Sequence, residues 1–266
     1  MTKTSSARNR PHKLKVTWGG HATVLIEIDG VRLVTDPVLR NRVVHLRRHT
    51  PDPGPAFIEN VDAVLISHLH FDHLDVPTLK RYDRGTKIIV PDGAQAMIRK
   101  HGFRDVVGLQ EGEATEVGPV TVLAVPADHD GRRHPFGLEI DAVGFVVEGE
   151  ANRILFAGDT DLHPRLGELT ESLDVALLPI WGWGHKLGPG HMDPRGAAQA
   201  AALLRPEVTI PIHWGTYFPI GMTGIRGALL EKPVRAFEQQ MGELAPDLEI
   251  RVLRPGETLN CPAASS

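Results

Sequence analysis

The segment Ser67-His68-Leu69-His70-Phe71-Asp72-His73-Leu74-Asp75 constrains this chain more than any other. It places three histidines and a carboxylate within six residues, directly after Val61 to Ser67, an apolar run suited to a buried strand. On a continuous strand His68 and His70 would share one face and His73 would fall on the other. A turn after the strand lets all of them converge. Such a set of nitrogen and oxygen donors suits zinc, with iron or manganese as further options. A histidine-rich surface loop is the competing reading, and it weakens once the rest of the chain is considered. His129 follows the strand-like run Val120 to Pro126, Asp159 follows Arg153 to Ala157, and His213 closes Val208 to His213. Any one strand-end donor would be unremarkable. Four such groups in one chain are what a layered sheet gathering ligands at a common edge would produce.

The remaining pattern fits that picture. Leu14 to Trp18, Ala22 to Ile28 and Val31 to Thr35 read as strands, the last two joined by Asp29-Gly30, a hairpin signal. Further strands are expected at Lys87 to Val90, Ala142 to Glu148, Val175 to Ile180 and Leu248 to Leu253. Helices are expected at Val76 to Tyr82, at Gly93 to His101, within Ile225 to Met241, and at Pro194 to Leu204, where Asp193 is the N-cap and Pro194 the first helical residue. Strands with helices between them predict a layered α/β (α+β) domain over residues 13–260, with tails at 1–12 and 261–266. No repeat and no Pro/Gly/Ser linker divides it.

Composition narrows the function. The 29 Lys and Arg against 33 Asp and Glu give a net charge of −4, which argues against nucleic acid as the main partner. The basic run Arg40 to Arg48 reads as a solvated loop. Cys261 is the only cysteine, so no intrachain disulfide can form. Met1 to Pro11 holds no apolar core of a secretory signal, and no apolar run approaches the ~20 residues that span a bilayer. A cytoplasmic chain acting on a small molecule is expected, without stable membrane insertion and with homo-oligomerisation open.

His-x-His-x-Asp-His followed by His129, Gly158-Asp159-Thr160 and His213 resembles the metallo-β-lactamase superfamily, in order and over nearly the whole chain. Trp18-Gly19-Gly20-His21-Ala22-Thr23, Leu33-Val34-Thr35-Asp36-Pro37 and Ile212-His213-Trp214-Gly215-Thr216 are similar to the branch containing N-acyl-phosphatidylethanolamine phospholipase D and ascorbate-6-phosphate lactonase. The resemblance implies a four-layer αββα sandwich with two divalent cations at one edge. His68, His70 and His129 would hold one cation and Asp72, His73 and His213 the other, with Asp159 bridging. It implies a hydrolase in which a bridging hydroxide attacks phosphorus or a carbonyl carbon and Asp72 handles its proton. No cysteine replaces Asp159, unlike the common antibiotic-degrading zinc enzymes.

Metal-bound histidines need acceptors on their far nitrogens, and Asp36, Asp75 and Asp128 are candidates, each also explicable as a turn or cap carboxylate. The Gly-rich stretch from Trp181 to Pro194 reads as a loop at the site edge. In it His191, and more weakly His185, are candidates to protonate a leaving group. His21, Trp181, Trp183 and Tyr217 are candidate substrate contacts, with Trp214 and Phe218 as possible parts of an apolar mouth. Arg132 and Arg133 are placed to bind an anion, against the plainer reading of solvated charges. A phosphodiester or related ester is the expected substrate. A lactone or other carboxylic ester is the alternative, and a non-catalytic metal-binding scaffold is the last option.

Overall fold

In a computed structural model, the structure describes residues 14–134, 137–169, 172–183, 188–221 and 226–261. Two seven-stranded sheets lie at its centre. The first runs in the order Thr258–Cys261, Leu14–Gly20, Thr23–Ile28, Val31–Thr35, Ala63–Leu65, Lys87–Pro91 and Val106–Leu109. Its first four strands are antiparallel and the rest join in parallel. The second runs Glu249–Ile250, Val208–Ile212, Val175–Pro179, Arg153–Phe156, Asp141–Glu148, Val120–Asp130 and Ala114–Val117. It is parallel as far as Arg153–Phe156 and antiparallel beyond.

Alternation along the strands decides what lies between the sheets, because successive side chains leave opposite faces. Val24, Ile26 and Leu33 pack in one core with Val122, Phe145, Phe156 and Leu177 of the other sheet. Leu25, Val34, Val64 and Ile88 point the opposite way, onto Leu79, Ile98 and Phe103 around the short helices Val76–Leu79 and Gln95–Arg99. The second sheet is covered by Pro194–Leu204 and Arg226–Leu244, through Ala197, Ala201, Val234 and Phe237. Burying each such Leu, Val or Phe is worth roughly 1.5–3 kcal/mol, so the four layers hold together largely by apolar burial. The expected αββα sandwich is therefore present.

Two expectations are corrected. Arg40 to Arg48 is not simply a solvated loop. Arg42–Val43 and Leu46–Arg48 form a hairpin that pairs with Tyr217–Pro219 in a third, small sheet. Arg48 is buried there, its guanidinium donating to the carbonyls of Gly19 and Val38. The strand expected to end at Pro126 runs on to Asp130 through a register shift, so His129 lies inside a strand rather than after one. Among the described residues, no helix is long and apolar enough to cross a membrane.

Candidate metal centre

The donors gather at one edge of the sandwich because the strands end there. The first sheet contributes His68, His70, Asp72 and His73 in the turns after Ala63–Leu65. The second contributes His129, then Asp159 after Arg153–Phe156 and His213 after Val208–Ile212. The backbone is strained where it turns. His21, Asp36 and His213 have φ of 56°, 34° and 64°, a left-handed region that non-glycine residues seldom occupy. Gly190 sits at φ 80°, and a Cβ there would come within 2.9 Å of His129 Nδ1, so this loop approaches the site as only glycine allows.

All seven expected ligands come together. His68 Nε2 lies 3.0 Å from His70 Nδ1, and His129 Nε2 lies 3.1 Å from the same atom. On the other side His73 Nε2 and His213 Nε2 are 3.0 Å apart. Asp159 lies between, with Oδ2 3.2 Å from His73 Nε2 and Oδ1 3.3 Å from His213 Nε2. Among the described residues His68, His70 and His129 form one compact donor group, and His21, Asp72, His73 and His213 form another.

The far nitrogens explain why these rings face each other. His73 Nδ1 donates to Asp36 Oδ2 at 2.7 Å, His129 Nδ1 to the Gly190 carbonyl at 2.8 Å, and His213 Nδ1 to the Trp181 carbonyl at 2.7 Å. His68 Nδ1 meets Ser67 Oγ at 2.9 Å, and Ser67 Oγ donates to Asp36 Oδ2 at 2.5 Å. With each Nδ1–H engaged, Nε2 is the nitrogen turned inward, where it can bind a cation once any proton it carries is displaced. Converging lone pairs repel one another unless a proton or a metal ion lies between them. The donor set therefore fits a divalent cation of the zinc type.

Protonation follows from the surroundings. Burial pushes the His213 imidazole down to about 3 and His70 to about 4, and also lowers His68 and His129. Burial would lower His73 too, but the carboxylates of Asp159 and Asp36 at its two nitrogens raise it well above the ordinary range. Burial opposes ionisation of Asp72, yet the hydrogen bond from His21 and the nearby imidazoles hold it below the usual carboxylate range. Asp159 is likewise lowered against burial, by His213 and His73.

The other expected residues divide. His191 reaches the centre, with Nε2 3.5 Å from Asp159 Oδ2 and Nδ1 turned toward the carbonyls of Gly188 and Pro189. Burial works against its charge, but Asp159 raises its pKa. His185 lies outside the described residues. Trp183 lines a cavity of about 260 Å³ over the donors, together with Val43, Val44, Leu46 and Phe71. Its indole N–H donates to Asp72 Oδ2 at 3.1 Å. Trp181 lines two adjoining grooves, one with Phe218 and Pro194 and one with Gly188 and His191.

His21 and Tyr217 do not line the mouth as expected. Both are buried behind the donors, 1% and 0% exposed, because the turn at His21 tucks beneath His213 and the Tyr217 hydroxyl donates to the Arg40 carbonyl. Trp214 is likewise buried, stacked on Trp18. Of the three candidate acceptors only Asp36 holds a ligand histidine. Asp75 caps the helix Val76–Leu79 and binds Arg40 instead. Arg132 is paired with Asp130, and Arg133 donates to the carbonyls of Leu69 and Leu74, so both serve the local chain. Ser67 and the Val43 to Leu46 lining escaped the sequence reading. A small hydroxyl residue directly before the first histidine was the available signal for Ser67.

Comparison with known proteins agrees with this geometry. The Beta-lactamase superfamily domain matches residues 31–214. A metal-dependent hydrolase of Methanopyrus kandleri is 35% identical over 254 residues, covering 92% of this chain and 99% of that protein. N-acyl-phosphatidylethanolamine-hydrolyzing phospholipase D 1 of Caenorhabditis elegans is 33% identical over 238 residues, covering 79% of this chain and 66% of the worm protein. Among solved structures, a metallo hydrolase from Ignicoccus hospitalis is similar with a TM-score of 0.70 and 26% identity, over 94% of this chain and 98% of that one.

Proposed function

The chain belongs to the β-lactamase superfamily and is a metal-dependent hydrolase; from that premise we propose that it holds two divalent cations, zinc foremost, and cleaves a phosphodiester or related ester of a small molecule. His68, His70 and His129 would hold one cation, Asp72, His73 and His213 the other, with Asp159 shared. The observation that carries this reading is the inward-facing set of imidazole nitrogens 3.0–3.1 Å apart, four of whose rings have their far nitrogens engaged. When bound, such cations polarise the scissile oxygen and lower the pKa of a water, supplying a nucleophile at neutral pH.

The chain's own groups would do the rest. Asp72 stays a carboxylate at neutral pH and can accept the proton of an attacking water. His191, a quarter exposed at the rim and raised in pKa beside Asp159, can hold a proton and pass it to the leaving group. The cavity over the donors is small and walled by Val43, Val44, Leu46, Phe71 and Trp183. That lining favours the second reading, hydrolysis of a carboxylic ester or lactone with an apolar substituent, while similarity to the worm phospholipase supports the first.

Elemental analysis of the purified chain, with turnover of bis-p-nitrophenyl phosphate compared with p-nitrophenyl acetate and a lactone panel, tests both. Two cations per chain and cleavage of the phosphodiester are expected. Folded protein that takes up no metal would refute the proposal, and turnover confined to the carboxylic esters would move it to the second reading.

A further inference from the structure

His21 lies as close to the second donor group as its ligands do, and distance alone would make it a fourth ligand beside Asp72, His73 and His213. Hydrogen-bond accounting separates it from them. Its backbone is fixed on three sides: the amide donates to Thr216 Oγ1 at 2.7 Å, and the carbonyl accepts from Trp18 Nε1 at 2.9 Å and from the His213 amide at 3.0 Å. Its ring is held at 3.9 Å over that of His213 and edge-on to Tyr217. So placed, the imidazole has one polar partner, Asp72 Oδ2, 3.1 Å from Nε2. Its Nδ1 is buried and has no partner among the described residues.

Every ligand ring described above with a buried far nitrogen has an acceptor for it; His21 has none. A buried N–H without an acceptor is rarer in folded proteins than a bare acceptor, so the ring proton belongs on Nε2, where Asp72 can receive it. A nitrogen that carries a proton has no lone pair to give a cation. Trp183 Nε1 donates to the same oxygen, also at 3.1 Å. Two N–H donors thus occupy Oδ2 and leave Oδ1 as the free oxygen of this carboxylate.

We propose that His21 is a positioning residue and not a metal ligand: with Trp183 it clamps Asp72 Oδ2, fixing the rotation of the carboxylate so that Oδ1 alone serves the cation and the attacking water. This rests on the reading of Asp72 as part of the hydrolytic centre. The clamp has a buried jaw, His21, and a jaw in the cavity wall, Trp183, so it joins the substrate cavity to the carboxylate. Substitution at either jaw should then act on turnover while the cations stay in place.

Long-range 1H–15N correlation spectra of histidine-labelled protein, metal-free and zinc-loaded, test the tautomer directly, with the His21 signal assigned by its absence from His21→Gln. A neutral ring protonated on Nε2 in both states is expected. A ring protonated on Nδ1 with a zinc-shifted Nε2 would overturn the proposal. His21→Gln, whose amide can replace the donor, should retain both cations and turn over bis-p-nitrophenyl phosphate within about threefold of the parent. His21→Leu should retain both cations with kcat lowered about 10–100-fold and KM little changed, the range for removing an outer partner of a metal ligand. Loss of a cation from His21→Leu would also overturn it. Should that variant not fold, the spectra of the parent still decide. A parent that binds zinc but cleaves no ester would sink the functional reading, while the tautomer would still judge the place of His21.

Discussion

Replacing Asp36 by Asn should weaken both cation sites at once, although Asp36 belongs to neither. Its buried carboxylate accepts three hydrogen bonds: Oδ1 from the Ser67 amide at 2.8 Å, and Oδ2 from Ser67 Oγ and His73 Nδ1. Through Ser67 Oγ it also reaches His68 Nδ1. One side chain therefore sets the tautomer of a ligand in each donor group. Asparagine keeps the shape and tolerates the φ of 34° better than most residues, so the turn itself should survive. With Oδ1 still accepting the Ser67 amide, the new NH2 faces His73 Nδ1–H, donor against donor. The relief open to the ring is to move its proton to Nε2, the nitrogen that should face the cation. Losing such an outer partner typically costs 10–100-fold in affinity, roughly 1.4–2.8 kcal/mol. Disrupting a buried charge-assisted bond should also lower the stability of the metal-free fold by roughly 1.5–3 kcal/mol. Competition against a chromophoric chelator would read both affinities. Ser67→Ala is the control, since it cuts only the path to His68 and should weaken one cation while sparing the other. An Asp36→Asn protein that binds two cations with parental affinity would refute the relay.

The remaining predictions concern the centre and its rim. Asp159→Ala should abolish the shared contact, leaving no more than one cation per chain by elemental analysis and activity down by at least about 10³-fold; two cations at full occupancy would disprove sharing. His191→Ala should keep both cations but lower kcat about 10²-fold, within the span of a lost proton donor, and unchanged turnover would reduce it to a loop residue. Cation affinity should fall on acidification. Burial disfavours the charge on His73, but Asp159 and Asp36 raise its pKa, so the metal-free protein retains a proton that the cation must displace. Below that pKa the affinity should drop by up to about tenfold per pH unit for each proton displaced, and equal affinity at pH 6.5 and 7.5 would contradict it.

The candidate donor cluster was legible because most of its members follow a short apolar strand, and strand ends are readable from local pattern. What was missed depends on chain segments distant in sequence. The hairpin at Arg42 to Arg48 gains its order from Tyr217–Pro219, some 170 residues away, so its arginines look solvated until that pairing is known. His21 and Tyr217 were expected at the mouth; their depth is set by the His213 ring against His21, by Tyr217 edge-on to His21, and by Arg48 over the Tyr217 ring. His129 was expected just after the strand Val120 to Pro126, whereas a register shift lets the strand continue to Asp130. The edge strands Ala114–Val117 and Thr258–Cys261 are each only 4 residues long, so a period of two repeats too few times to stand out.

The division of the candidate donors between the two sheets has a mechanical consequence. His68, His70, Asp72 and His73 hang from one layer, and His129, Asp159 and His213 from the other. Cations seated among them would act as rivets along that single rim. Chelation should then let the sandwich gape at that rim first, with amide exchange quickening in the turns after Leu65, Phe156 and Ile212 while the apolar middle stays shut.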